Sequence, residues 1–140
     1  MGTTLRLGSW SELKNDASAV RYEVFVQEQR VPLEIEMDEL DPDCIHAVVY
    51  DAQGDAVATG RLLPSAYIGR MAVKTGCRGQ GLGAKVLLAL RDAAKDRGDT
   101  TVFLSAQLHA LPFYSKYGFE AYGDSYEDAG IAHRMMRCDV

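Results

Sequence analysis

The chain has 140 residues, 47% hydrophobic and 25% charged, the balance of one soluble globular domain with a core large enough to fold without staples. Its formal net charge of −5 argues against bulk nucleic-acid binding, which needs a basic face, and weakly against anionic membrane surfaces. No apolar run reaches the ~18 residues of a spanning helix, the first residues lack a signal-peptide pattern, and Cys44, Cys77 and Cys138 stand apart with no C-x-x-C pair. The expectation is a cytoplasmic protein with reduced thiols.

Along the chain, Thr3–Leu7 alternates as a first strand. Ser9-Trp10-Ser11-Glu12 reads as a capping box, and the helix it opens places Leu13, Ala17, Val20 and Val24 on one face. The spacing predicts that this helix runs to about Gln29, before Pro32. Residues 30–44 are acidic and contain Pro32 and Pro42, so they read as a long loop with its carboxylates on a solvated face. Ile45–Tyr50 and Ala56–Leu63 form a hairpin about Ala52-Gln53-Gly54-Asp55. A strand over Ala66–Val73 leads into a glycine-rich loop. A helix over Leu82–Arg97 follows, with Leu82, Val86, Leu87, Leu90 and Ala94 on one side and Gly98 at its end. Thr101–Ser105 is a short strand and Ala110–Tyr117 a short helix with Pro112 in its first turn. Phe119–Tyr122 and Ala132–Cys138 close the chain as strands. The order β-α-β-β-β-α-β-α-β-β is that of a mixed α/β domain spanning residues 1–140.

The chemistry concentrates in Ile68-Gly-Arg-Met-Ala-Val-Lys-Thr-Gly-Cys-Arg-Gly-Gln-Gly-Leu-Gly-Ala84. A strand feeds a glycine-rich loop that opens a helix. Glycines let backbone N–H groups turn toward one point, and the helix start adds unpaired donors and a favourable dipole. The combination suits a diphosphate, and Arg78 adds a positive charge. Gly79-x-Gly81-x-x-Ala84 also fits the loose dinucleotide fingerprint. That fingerprint wants its first glycine at the strand end and an acid at the end of the next strand. Here several residues follow Val73, and the next strand ends Ser105-Ala106-Gln107.

Arg78-x-x-Gly81-x-Gly83 resembles the pyrophosphate loop of the GCN5-related N-acetyltransferases. Met71-Ala72-Val73 resembles the strand end that precedes that loop in the family. Gln107-Leu-His-Ala110-Leu-Pro-Phe113-Tyr114-Ser-Lys116-Tyr-Gly118-Phe119 is similar to the family's downstream pattern, with Gln107 in place of its asparagine. The resemblance covers nearly the whole chain, and Arg21–Gln29, Pro32, Glu36, Asp38 and Asp41 resemble a small bacterial branch of the family. A fainter likeness is to the autoinducer synthases.

The resemblance implies the acyl-CoA N-acyltransferase fold: a mostly antiparallel sheet, splayed as a V between its central strands and flanked by helices. It implies an acetyl-CoA-dependent N-acetyltransferase acting on a small-molecule or peptide amine in a ternary complex, with no metal. Acetyl-CoA would be held by Met71, Ala72, Val73, Arg78, Gly79, Gln80, Gly81, Leu82, Gly83, Ala84, Gln107 and Tyr114. Tyr114 would protonate the departing thiolate. Glu36 is taken as the catalytic base among Glu28, Glu36, Asp38 and His46. Arg21 and Arg61 read as surface or salt-bridged residues, or as holders of a substrate carboxylate. His46 reads as structural, His109 as bonded to backbone and His133 as strand surface; three dispersed histidines make no metal site. A CoA-binding sensor and an autoinducer-type acyltransferase are the rival functions. The oligomeric state stays open; many relatives in the family pair through their terminal strands, so the resemblance allows a homodimer.

Overall fold

The computed structural model describes residues 2–140. Strands β1 (Thr4–Gly8), β2 (Ile45–Tyr50), β3 (Ala56–Leu62) and β4 (Ile68–Val73) form an antiparallel sheet in that order. Strands β5 (Thr101–Gln107), β6 (Glu120–Asp128) and β7 (Ile131–Asp139) form a second sheet in the order β5-β7-β6. Helices α1 (Trp10–Arg21), α2 (Leu33–Glu36), α3 (Leu82–Arg97) and α4 (Leu111–Ser115) connect them.

The capping box forms: the Ser9 side chain accepts from the Glu12 backbone N–H, and the Glu12 carboxylate accepts from the Ser9 N–H. The first helix stops being α-helical at Arg21 and continues as wider π turns over Tyr22–Glu28. Such turns shift the faces that follow, a change that apolar spacing does not register. Residues 30–44 are more ordered than expected, holding α2 and a 3₁₀ turn at Asp41–Asp43. The final hairpin is also longer than expected. β6 continues irregularly past Tyr122, and the tight turn Ala129–Gly130 has both φ angles positive, at 53° and 78°.

Both faces of the first sheet are covered, which explains why β2 and β3 read as nearly continuous apolar runs. On one face, Leu13 and Ala17 of α1 pack on Val48, and Val20 packs with Val24 and Ala72. On the other, Val86, Leu87, Leu90 and Ala94 of α3 pack with Ala47, Val49, Ala58 and Leu62, and this core runs on into Val102, Leu104 and Ala106 of β5.

The two sheets meet at one parallel bridge, Tyr67–Phe103, where the Phe103 N–H donates to Ala66 O at 2.9 Å. Beyond it β4 and β5 are not paired. β4 is itself irregular: Arg61 pairs with Gly69 but Thr59 with Ala72, and Arg70 sits between them with φ of 50°. Such a bulge bends its strand and re-aims a side chain. Gly60 lies opposite, beneath α3; a Cβ there would meet Val86 Cγ1 at 2.6 Å and Leu90 Cδ1 at 3.0 Å.

Gly60→Ala should therefore lower stability by about 1–3 kcal/mol through overpacking. Urea unfolding is the check, with Gly54→Ala as the contrast. Gly54 meets nothing within 4 Å, so a loss there would come from its φ of 84° alone.

Candidate active site

The divergence of β4 and β5 opens a cavity of about 820 Å³. Ile68–Met71 form one wall and Leu104–Gln107 the other. Tyr114 of α4, Phe25 and Gln29 of the π turns, Glu36 of α2, and Asp128 and His133 of the last hairpin also line the cavity.

The glycine-rich loop sits at the start of α3. Gly79 and Gly81 take φ of 81° and 77°, a conformation that L side chains rarely adopt, and a Cβ at either would meet nothing within 4 Å. Gly81 caps α3 without a side-chain hydrogen bond, so the first-turn N–H groups have no side-chain acceptor. This arrangement fits a diphosphate. Gly83 lies where a Cβ would be 3.9 Å from Val73, which ties the loop to the end of β4. Gln80, Leu82 and Ala84 complete the run; Leu82 is buried in the core.

Arg78, which brings the expected positive charge to the loop, is itself paired. Its two terminal nitrogens each lie 2.7 Å from an oxygen of Glu28, and its Nε donates to Val73 O at 2.9 Å. Glu28 also accepts from Thr75 Oγ1, and the hydrogen bonds from Arg78 and Thr75 lower its pKa. Glu28, a candidate base by sequence, is thus a partner of the loop.

Of the carboxylates expected on a solvated face, Glu34, Glu39 and Asp43 are exposed, Asp38 is half-buried, and Glu36 and Asp41 are internal. Glu36 and Asp41 are 6% and 3% exposed, as are Arg21 and Arg61 at 2% and 4%. Arg21 Nε binds Glu36, Arg21 Nη1 binds Asp41 at 2.8 Å, and Arg21 Nη2 donates to Glu36 O. Arg61 makes a bidentate pair with Asp38, both contacts at 2.8 Å, and also reaches Asp41 at 2.8 Å. Arg70, on the bulge, donates to Glu36 O and to Asp38. Arg21 and Arg61 are therefore interior struts, neither surface residues nor free to take a substrate carboxylate. The Glu36 carboxylate, taken as a base by sequence, is held by Arg21 in a buried ion pair.

Arg61 hydrogen bonds outweigh burial at Asp38 and hold its carboxyl at about 2. Burial pushes Asp41 upward, but Arg21 and Arg61 outweigh it and leave it below the usual carboxylate range. His46 is buried, accepts no role in the cavity and bonds Asp41 O through Nε2 at 2.9 Å; burial lowers its pKa.

Tyr114, on α4, is half-buried beside Phe113 and Phe119, and burial raises its hydroxyl pKa, with Tyr67 adding to the rise. Gln107 ends β5 on the cavity wall and its amide oxygen bonds His109 Nε2, so His109 binds a side chain where backbone was expected. His133 also departs from a plain surface position: it is half-buried, lines the cavity and bonds Ile131 O through Nδ1 at 2.7 Å. Among the described residues no group of three or more His, Cys, Asp or Glu could hold a metal ion, and no helix is long and apolar enough to cross a membrane.

Residues 13–140 match the model of the acetyltransferase (GNAT) domain. The chain belongs to the GNAT acetyltransferase family. It is 40% identical over 131 residues to the uncharacterized N-acetyltransferase YjcF of Bacillus subtilis, covering 91% of this chain and 94% of that one. It is similar in structure to an acyl-CoA N-acyltransferase from Pseudomonas aeruginosa, at TM-score 0.87 and 33% identity over 98% of this chain and 99% of that one. Escherichia coli ElaA aligns at TM-score 0.86 and 28% identity, over 98% and 99%. The GNAT fold thus accounts for the splay, with β4 and β5 as its arms.

Two outcomes follow for the ion network. Asp41→Ala should cost about 3 kcal/mol in urea unfolding, because it removes the carboxylate shared by two buried arginines and leaves Arg21 with Glu36 and Arg61 with Asp38 alone. Asp38 titrates lower in the folded chain, at about 2 against an ordinary 3.8. Its stabilising contribution is complete above about pH 4 and is lost as pH falls toward 2. Unfolding free energy followed from pH 5 to 2 should fall, and less steeply in Asp38→Asn.

Proposed function

We propose that this GNAT domain moves the acetyl group of acetyl-CoA to a primary amine of a small molecule or peptide, by direct attack within a ternary complex. The observation that carries the reading is the cleft between β4 and β5, lined by Tyr114, together with the glycine-led start of α3 that no side chain caps. Acetyl-CoA supplies an activated thioester. Backbone groups of Met71 and Val73 bind its pantetheine arm as an added strand, and the Gln107 amide assists from β5. An N–H near Ala72 or Val73 stabilises the oxyanion that forms as the amine attacks. The N–H groups over Gly79–Ala84 hold the diphosphate, with Arg78 presented by Glu28 at the loop. Holding amine and thioester together supplies much of the rate.

Tyr114 acts as the general acid toward the departing sulfur. Its raised pKa supports this: the hydroxyl keeps its proton through neutral pH and has it to give. The three free cysteines suit a reducing cytoplasm. Two copies pair through the terminal strands, where β6 is the outer strand of its sheet.

Calorimetric titration should show saturable acetyl-CoA binding, weakened about tenfold or more, ~1.4 kcal/mol, by Arg78→Glu. Tyr114→Phe should leave that affinity unchanged and lower thiol release in the presence of amine by about 100-fold. Binding with no amine-dependent thiol release would instead favour a CoA sensor. A clear preference for long-chain acyl-CoA would favour the autoinducer-type reading.

A further inference from the structure

We infer that His133 is the proton acceptor for the attacking amine, a role that rests on the acetyltransfer reading above. Its Nδ1 lies 2.7 Å from the carbonyl oxygen of Ile131. A carbonyl only accepts, so Nδ1 carries the hydrogen, and in the neutral ring Nε2 is left with its lone pair. The tight turn at Ala129–Gly130 starts β7 at Ile131, so the turn places that carbonyl two residues before the ring it fixes.

The ring is held from its other sides as well. His133 pairs with Gln107 across β5 and with Tyr126 across β6. It stacks on Tyr126, with ring centroids 6.1 Å apart and planes 24° from parallel. The Tyr126 hydroxyl in turn hydrogen-bonds Ser105, on the β5 wall of the cleft. His133 lines the same cavity as Tyr114, so one chamber holds a base with a fixed tautomer and an acid with a retained proton.

The competing groups in the cavity are less suited. Glu36 is engaged by Arg21. His109 bonds a glutamine amide, which can present either its oxygen or its nitrogen, so that contact fixes no tautomer. Asp128 is an exposed carboxylate on the outer strand β6, with no side-chain hydrogen bond among the described residues to orient it.

The proton balance closes. An ammonium acceptor gives one proton to His133 Nε2, directly or through one water, and becomes the free amine. The amine forms the C–N bond and the C–S bond breaks, with Tyr114 protonating the thiolate. The amide nitrogen returns its extra proton to Tyr114, and His133 releases its proton to solvent. Products are the acetamide, CoA thiol and one proton.

The test compares two probe amines on the full chain at saturating acetyl-CoA, following thiol release at neutral pH. n-Butylamine arrives protonated and needs the base; methoxyamine arrives neutral and does not. His133→Gln should lower turnover with n-butylamine by about 100-fold, leave methoxyamine within about threefold, and leave acetyl-CoA affinity unchanged. Added imidazole should restore part of the n-butylamine rate in His133→Ala. An equal fall with both amines, or no fall with n-butylamine, overturns the assignment. A wild-type protein that binds acetyl-CoA but transfers to neither amine overturns the acetyltransfer reading along with it.

Discussion

Neighbouring parallel strands ordinarily stay hydrogen-bonded along their length. Here β4 and β5 touch at Tyr67–Phe103 and then separate, and the rest of the molecule is arranged to keep them apart without unfolding either. β3 holds β4 along its outer edge, from Leu62–Ile68 to Ala58–Val73. β7 holds β5 over its whole length, from Thr101–Asp139 to Gln107–His133. α3 spans beneath both, and its buried face joins Leu62 and Ile68 to Val102 and Leu104 in one core. Gly60 lets that helix come close to β3.

The ion network serves the same constraint from the opposite face. Buried ion pairs add little net stability over apolar packing of the same volume. Their consequence here is positional: Arg21 and Arg70 grip the backbone carbonyl of Glu36, and Arg61 grips Asp38 and Asp41. The segment from α2 to the Asp41–Asp43 turn is thereby fixed against β3 and the β4 bulge, forming a wall of the cleft. Arg70 pays for its place with a left-handed backbone, a strain of about 1–3 kcal/mol that this network and the neighbouring strand pairs must hold.

Much of this was legible in residue order. The capping box, the apolar face of α3, Gly98 at its end and the hairpin of β2 and β3 follow from local spacing, and each is local chemistry. The glycine loop and the Phe113-Tyr114 helix could be read because their residue types have few other uses together. What stayed hidden depends on partners distant in sequence. Arg21 looks like any helical arginine until Glu36 and Asp41 fold over it, and the acidic run looks solvated until three arginines meet it. The π turns and the bulge at Arg70 shift register without changing composition. His133 read as surface because the extent of β6 was hidden behind turn-forming residues over 123–130, and the carbonyl that orients the ring belongs to the start of β7.

The central claim is that the cleft between β4 and β5 takes the acyl-pantetheine arm while the start of α3 takes the diphosphate. Backbone amide chemical-shift mapping of the ¹⁵N-labelled chain with acetyl-CoA tests it most directly. The account predicts that the largest shifts fall on Met71–Val73, Gly79–Ala84 and Ser105–Gln107, with the outer strand β1 unmoved. Saturable binding whose shifts avoid both β4 and the α3 start would contradict it.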